Sequence, residues 1–204
     1  MVDSHVIAGP MGLRLMTSKT FLRHVSFLVG VSCPVNGVLA QAPVVQHEII
    51  VDRRAPPLTL DDVVRLADAI IVATVVSKQL LSLDPAEYVR TVYMLRVDDV
   101  IKAHELLSPV TSVYREGGDV AVGSRVDRFE EVDFPKYEIG SRLVICLAYN
   151  QYYQMFQSRF GPDGSYLLTG SAVRPMGTSP LAIAQTNRAS TDFIRALKAA
   201  AGPQ

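Results

Sequence analysis

Residues 69 to 76 read Ala-Ile-Ile-Val-Ala-Thr-Val-Val and are apolar on both of the faces that alternate along an extended chain. β-Branched side chains crowd a helical turn but pack well on a pleated surface, so the run predicts a strand. A strand with no polar face has to be covered on both sides, which places it at the centre of a sheet. The rest of the chain must supply that cover.

The neighbouring segments suit this requirement. Thr59 stands as an N-cap before Leu60-Asp-Asp-Val-Val-Arg-Leu-Ala67, with two acids in the first turn, and predicts a short helix feeding the central strand. Residues 89 to 99 alternate, with Val89, Tyr93, Leu95 and Val97 on one face and Arg90, Arg96 and Asp98 on the other. Their phase slips at Asp99-Val-Ile101, where a bulge would bend the strand. Residues 110 to 116 predict a short strand ended by Gly117-Gly118, and residues 142 to 149 a second strongly apolar one. Residues 152 to 159 and 166 to 173 flank Gly161-Pro-Asp-Gly164 and read as an antiparallel hairpin. Ser190 is expected to cap a final helix in which Phe193, Ile194 and Leu197 share a face. Residues 119 to 138, rich in charge, read as the longest irregular segment.

These elements predict a mainly β fold: a five- to six-stranded antiparallel OB-like barrel with a short helix before the first main strand and a C-terminal helix. A β-sandwich is the alternative. Parallel α/β architecture is disfavoured because no regular long helices separate the strands. With 204 residues, 49% of them hydrophobic, one buried core is the expectation, carried by a single domain over residues 59 to 204. Residues 43 to 58, with Pro43, Pro56 and Pro57, read as an extended leader that pairs at its centre through Glu48-Ile-Ile-Val51.

The first 42 residues have a different character. From Met16 a short basic stretch, Met-Thr-Ser-Lys-Thr-Phe-Leu-Arg-His, runs into the apolar Val25-Ser-Phe-Leu-Val-Gly-Val-Ser-Cys33, and Ala40-Gln-Ala42 supplies a small-x-small site. That order is the signature of a secretory signal peptide, with Met16 as the better start and cleavage expected after Ala42. The apolar core is about 9 residues, short of the ~20 a membrane-spanning helix needs, so no transmembrane segment is expected after processing. The expected destination is extracytoplasmic, periplasmic or secreted, with lipid anchoring at Cys33 as the minor alternative.

Twenty basic and twenty acidic residues balance, and removing Arg14, Lys19, Arg23 and Asp3 leaves the mature chain slightly acidic. Such a chain lacks the positive charge that drives binding to phosphate backbones, so no nucleic-acid partner is expected. Of two cysteines only Cys146 remains in the mature chain, inside the apolar run Leu-Val-Ile-Cys-Leu, which predicts a buried thiol. His47 and His104 are far apart and no His-x-x-x-His or Cys-x-x-Cys spacing occurs, so neither a metal nor another cofactor is expected. No Gly-x-Ser-x-Gly elbow is present. The acidic pairs Asp61-Asp62, Asp98-Asp99 and Glu130-Glu131 are better read as helix-start and surface charges than as acid and base, because neighbours on a strand face opposite ways.

Several of these segments together resemble a known family. A helix ending in Ala67-Asp-Ala69 before Ile70-Ile-Val-Ala-Thr-Val-Val76, then Val97-Asp-Asp-Val-Ile-Lys102, Val113-Tyr-Arg-Glu-Gly-Gly118 and Tyr137-Glu-Ile-Gly-Ser-Arg-Leu-Val-Ile-Cys-Leu147, resembles exported bacterial netrin-like domains. Those are similar in fold to the N-terminal OB-barrel of tissue inhibitors of metalloproteinases, and the likeness covers roughly residues 59 to 173. The family's inhibitors place a free N-terminal cysteine on the protease zinc and hold the barrel with disulfides. This mature chain begins near Pro43 and keeps one cysteine, so zinc-directed inhibition does not carry over.

One cluster invites a binding role: Tyr149-Asn-Gln-Tyr152-Tyr153-Gln-Met-Phe156-Gln-Ser-Arg159-Phe160, rich in the residue types enriched at contact surfaces. Tyr152, Tyr153, Phe156 and Arg159 are the candidate binding residues, with Tyr152 and Phe156 sharing one strand face. No catalytic residue is assigned. The functional expectation is a non-catalytic exported domain that binds a protein or envelope component through this segment and residues 119 to 138. An exported hydrolase with a dispersed site is the alternative.

Overall fold

The computed structural model describes residues 42 to 49, 59 to 84, 88 to 131 and 133 to 203. The expected signal, the Met16 start and Cys33 lie outside them, and Ala42 opens the described part. Among the described residues no helix is long and apolar enough to cross a membrane.

The chain is mainly β. Ten strands form a seven-stranded and a three-stranded sheet, with a short helix before the main strands and a longer one at the C-terminus. Strand β1 (Val44–Ile49) is followed by helix α1 (Leu60–Leu66) and the two longest strands, β2 (Ala69–Asp84) and β3 (Tyr88–Lys102). Then come β4 (Val110–Glu116), β5 (Gly118–Val122), β6 (Arg125–Glu131), β7 (Arg142–Asn150) and β8 (Met155–Ser158). A 3₁₀ turn (Gly161–Gly164), β9 (Ser165–Thr169), β10 (Ala172–Pro175), α2 (Pro180–Ala184) and α3 (Ser190–Ala201) complete the chain.

The central strand is where its sequence places it. β2 pairs with β3 on one side and β7 on the other, both antiparallel. Its alternate side chains feed two cores. Ile70 and Val72 join Val144, Cys146, Tyr166, Phe193 and Leu197 beneath α1 and α3, whereas Ala69, Ile71, Ala73 and Val75 meet Tyr93, Leu95, Val113, Leu143 and Ile145 on the opposite face. The β2–β3 register slips between Ile70 and Ile71 and again between Val72 and Ala73, opposite the expected irregularity at residues 99 to 101. These bulges curl the sheet. β8 pairs with β7 antiparallel and with β4 parallel.

Local chemistry sets the helix ends. The Thr59 hydroxyl accepts from Asp62 N at 3.1 Å, as its N-cap position requires. At the other end Lys102 Nζ donates to the carbonyls of Val64 (2.8 Å) and Ala67 (2.6 Å), placing a cation on the negative end of the helix dipole. Ser190 is not the cap of α3. Ala189 holds that position, and Ser190 opens the helix with its buried hydroxyl unpartnered.

Four other expectations change. Among the described residues the strands number ten rather than five or six, and two pairings are parallel, β4–β8 and β1–β6. Residues 119 to 138 are not mainly loop, for β5 and β6 form an antiparallel hairpin in which Asp119 stands opposite Arg128 and bonds it at 3.1 Å. Charges that read as loop are cross-strand pairs. Gly161–Gly164 is a 3₁₀ turn between β8 and β9, which pair not with each other but with successive stretches of β7. β1 pairing begins at Val44, upstream of the expected Glu48; residues 48 and 49 pair, and residues 50 to 58 lie outside the described part.

Candidate binding site

The strand expected over residues 152 to 159 starts late, because a turn occupies its first residues. After β7, the Asn150 side-chain carbonyl accepts from Tyr152 N (3.0 Å) and Tyr153 N (3.2 Å), an Asx-type closure that reverses the chain before β8 begins at Met155. Gln154 completes the reversal at φ +53°. Strand alternation therefore does not hold over residues 152 to 154, and Tyr152 and Phe156 do not share a face.

The turn separates the four candidate residues. Tyr152 is 86% exposed, the most exposed large apolar side chain among the described residues, and its ring meets Tyr153 edge-on at 4.8 Å. Tyr153 is half-buried and lies over the Arg90 guanidinium at 4.1 Å and edge-on to Tyr114 at 5.4 Å. Phe156 is core, 3% exposed, packed against Tyr149 and His104. Arg159 follows β8, where its backbone N–H donates to Cys146 O; its Nε is buried without a partner. Tyr152 and Tyr153 thus form one surface to which Phe156 and Arg159 do not belong.

Support for that surface comes from residues the sequence did not single out for it. Arg90, expected on the exposed face of its strand, is only 4% exposed and pairs with Glu116 at 2.8 Å across the β3–β4 ladder. The Tyr114 hydroxyl accepts from Asn150 Nδ2 at 2.9 Å and donates to the Gln157 carbonyl. Burial pushes its pKa up, keeping it protonated as that donor. The signal that could have revealed the turn is Asn150 directly after an apolar strand.

Glu116 also borders a cavity of about 430 Å³, where the Gly117–Gly118 corner turns β4 into β5. Its lining includes Phe129, Phe134 and Met176 around the buried Arg115–Glu131 pair, 3.6 Å apart. Arg115 donates to the Phe134 carbonyl at 2.6 Å and to that of Pro135, with its guanidinium over the Phe134 ring at 3.5 Å. Lys136 joins Asp119 (3.3 Å) and Glu130 (3.2 Å) at the rim. These charges are engaged within the domain, and Arg115 clamps Glu131, Phe134 and Pro135 onto β4.

The remaining titratable groups are dispersed. His47 stacks on Phe129 at 4.6 Å, while the Nδ1 atom of His104 accepts from Leu106 N at 3.2 Å. Among the described residues no three His, Cys, Asp or Glu side chains gather where they could hold a metal ion. Cys146 is fully buried, and burial pushes its thiol up to about 12. The acidic pairs are engaged with cations, Asp62 with Arg65, Asp98 with Arg96 and Arg142, and Asp99 with Lys198.

What the arrangement can do is offer an exposed aromatic ring on a hydrogen-bonded turn, with uncharged amides beside it, to a partner. Comparison with family models, with curated proteins and with solved structures returns no match for this chain.

Proposed function

We propose that this is a non-catalytic exported domain that binds a protein or envelope component, with Tyr152 and Tyr153 at the centre of the contact surface. The observation that carries the reading is the 86% exposure of Tyr152 on a turn closed by Asn150 and backed by Tyr153, Arg90 and Glu116. A tyrosine has only two side-chain torsions to order, and this one sits on a turn whose backbone is already closed, so binding through it costs little entropy. Export rests on the basic-then-apolar start and the Ala40-Gln-Ala42 site. The netrin-like, OB-type likeness belongs to the same proposal, and the mainly β fold with a helix before the main strands and another at the C-terminus is compatible with it.

The test is capture. The full chain, immobilised and exposed to an envelope extract of the cells that produce it, should enrich a partner that Tyr152→Ala fails to enrich and Ile183→Ser, a change at an exposed position on α2, enriches normally. Equal enrichment by Tyr152→Ala and the parent would remove the surface from the account. Mass determination of the exported product should give a chain beginning at Pro43; retention of residues 1 to 42 would reject the processing.

A further inference from the structure

The turn that carries Tyr152 also contributes Gln154 and Met155 to a second cavity, of about 280 Å³, where β4 and β8 begin. Its lining contains Ser108, Thr111, Ser112, Tyr149 and Phe156 and no charged residue. In a chain of which 20% is charged, a cavity lined without charge marks the chemistry it can accept. Among the described residues the Tyr149 hydroxyl and the Gln154 amide have no hydrogen-bond partner. Gln151, exposed on the same turn, leaves its amide likewise uncommitted. The half-buried Tyr149, stacked on His104 at 5.7 Å and edge-on to the core ring of Phe156 at 5.2 Å, gives the cavity its aromatic wall.

Aromatic faces accept the C–H side of a saturated ring, while amides and hydroxyls serve as both donors and acceptors. A polyhydroxylated ring presents both kinds of surface at once. An anionic ligand would instead call for a lysine or arginine within reach. None lines the cavity, and the arginine beneath Tyr153 is buried against Glu116. We propose that this cavity and the Tyr152 ring form a binding site for an uncharged oligosaccharide, one sugar seated against Tyr149 and Gln154 and the chain continuing over Tyr152. The proposal rests on the binding reading above and names the ligand class of that surface. The Asn150 closure holds the turn before any ligand arrives, so little ordering remains to oppose binding.

Isothermal titration of the full chain with neutral tetrasaccharides of glucose, xylose and N-acetylglucosamine tests this. At least one should bind saturably. Tyr152→Ala should weaken it about tenfold and Gln154→Asn, which tolerates the same left-handed backbone, about three- to tenfold. Thermal melts of both variants should match the parent, since both positions are exposed. The proposal is overturned if none of the tetrasaccharides binds up to about 10 mM, or if both variants bind as tightly as the parent. Tighter binding of polygalacturonate, weakening as salt rises, would also overturn it by showing that charge is recognised. Capture from the envelope extract separates the two levels: a partner still lost with Tyr152→Ala keeps the surface and discards only the sugar, and the absence of both discards the surface.

Discussion

Tyr152 and Phe156 sit four positions apart in one aromatic segment and have opposite surroundings. Phe156 belongs with Val113, Tyr149 and Leu147 to the core that holds Ile71 and Leu95, so Phe156→Ala should cost about 3–5 kcal/mol in denaturant unfolding. Tyr152→Ala should stay within about 0.5 kcal/mol of the parent, as expected at an exposed site without structural partners beyond one ring edge. Equal losses for the two would mean that the turn is packed differently. Tyr166 offers the reverse case. Its ring fills the other core against Phe193 at 4.7 Å, but its hydroxyl is buried with no partner. Tyr166→Phe should therefore leave stability unchanged or raise it by up to about 1 kcal/mol, and a loss larger than that would show that the hydroxyl has a partner. The aromatic character of residues 149 to 160 was legible in the sequence. Which rings are core was not, because two hydrogen bonds accepted by the Asn150 side chain reset the alternation.

At the scale of elements, the corner between β4 and β5 decides how the two sheets meet. Gly117 has φ +95°, and a Cβ placed there would stand 2.5 Å from the Phe129 carbonyl oxygen. Both the backbone conformation and the space demand glycine. Gly117→Ala should lose about 1–3 kcal/mol from backbone strain and more from the clash. Gly123, at φ +59° with nothing near its missing Cβ, should lose only the smaller left-handed penalty of about 1–2 kcal/mol in Gly123→Ala. If the two variants melted together, the close approach to β6 would not be what sets the corner. The Gly-Gly pair was readable as the end of a strand. The hairpin beyond it was hidden because β5 and β6 bury little and instead pair charges across the ladder, Asp119 with Arg128, leaving no apolar alternation to find.

For the whole molecule, stability should be bounded on both sides of neutrality. Burial raises Asp98, but the Thr74 hydroxyl and the Arg96 and Arg142 guanidinium groups outweigh it and hold the carboxyl below the usual range, tying β2, β3 and β7 together. Asp119 is likewise lowered, with Arg128 and Lys136 overcoming burial. A carboxyl lowered in the folded state contributes stability above its unfolded pKa, lost as pH falls through the folded one. The acid limb should therefore begin near pH 4, at about the unfolded value, and Asp98→Asn should flatten it in urea melts. Burial raises Tyr137 and Cys146 to about 12, so their contribution is complete below their unfolded values and is lost as pH rises through the folded ones. Stability should decline between about pH 9 and 12, with Cys146 reacting with thiol reagents only as the domain opens.

The sequence by itself determined the central strand, the capped helix before it, the C-terminal helix and the mainly β class, because each is written in local patterns of burial and capping that need no distant partner. Only the tertiary structure decided that β8 joins β7 to β4, that Arg90 and Arg115 are buried, and that Tyr152 stands in solvent while Phe156 does not. Those outcomes depend on pairings between residues far apart in the chain. A charge or a ring carries no mark of whether such a partner will cover it.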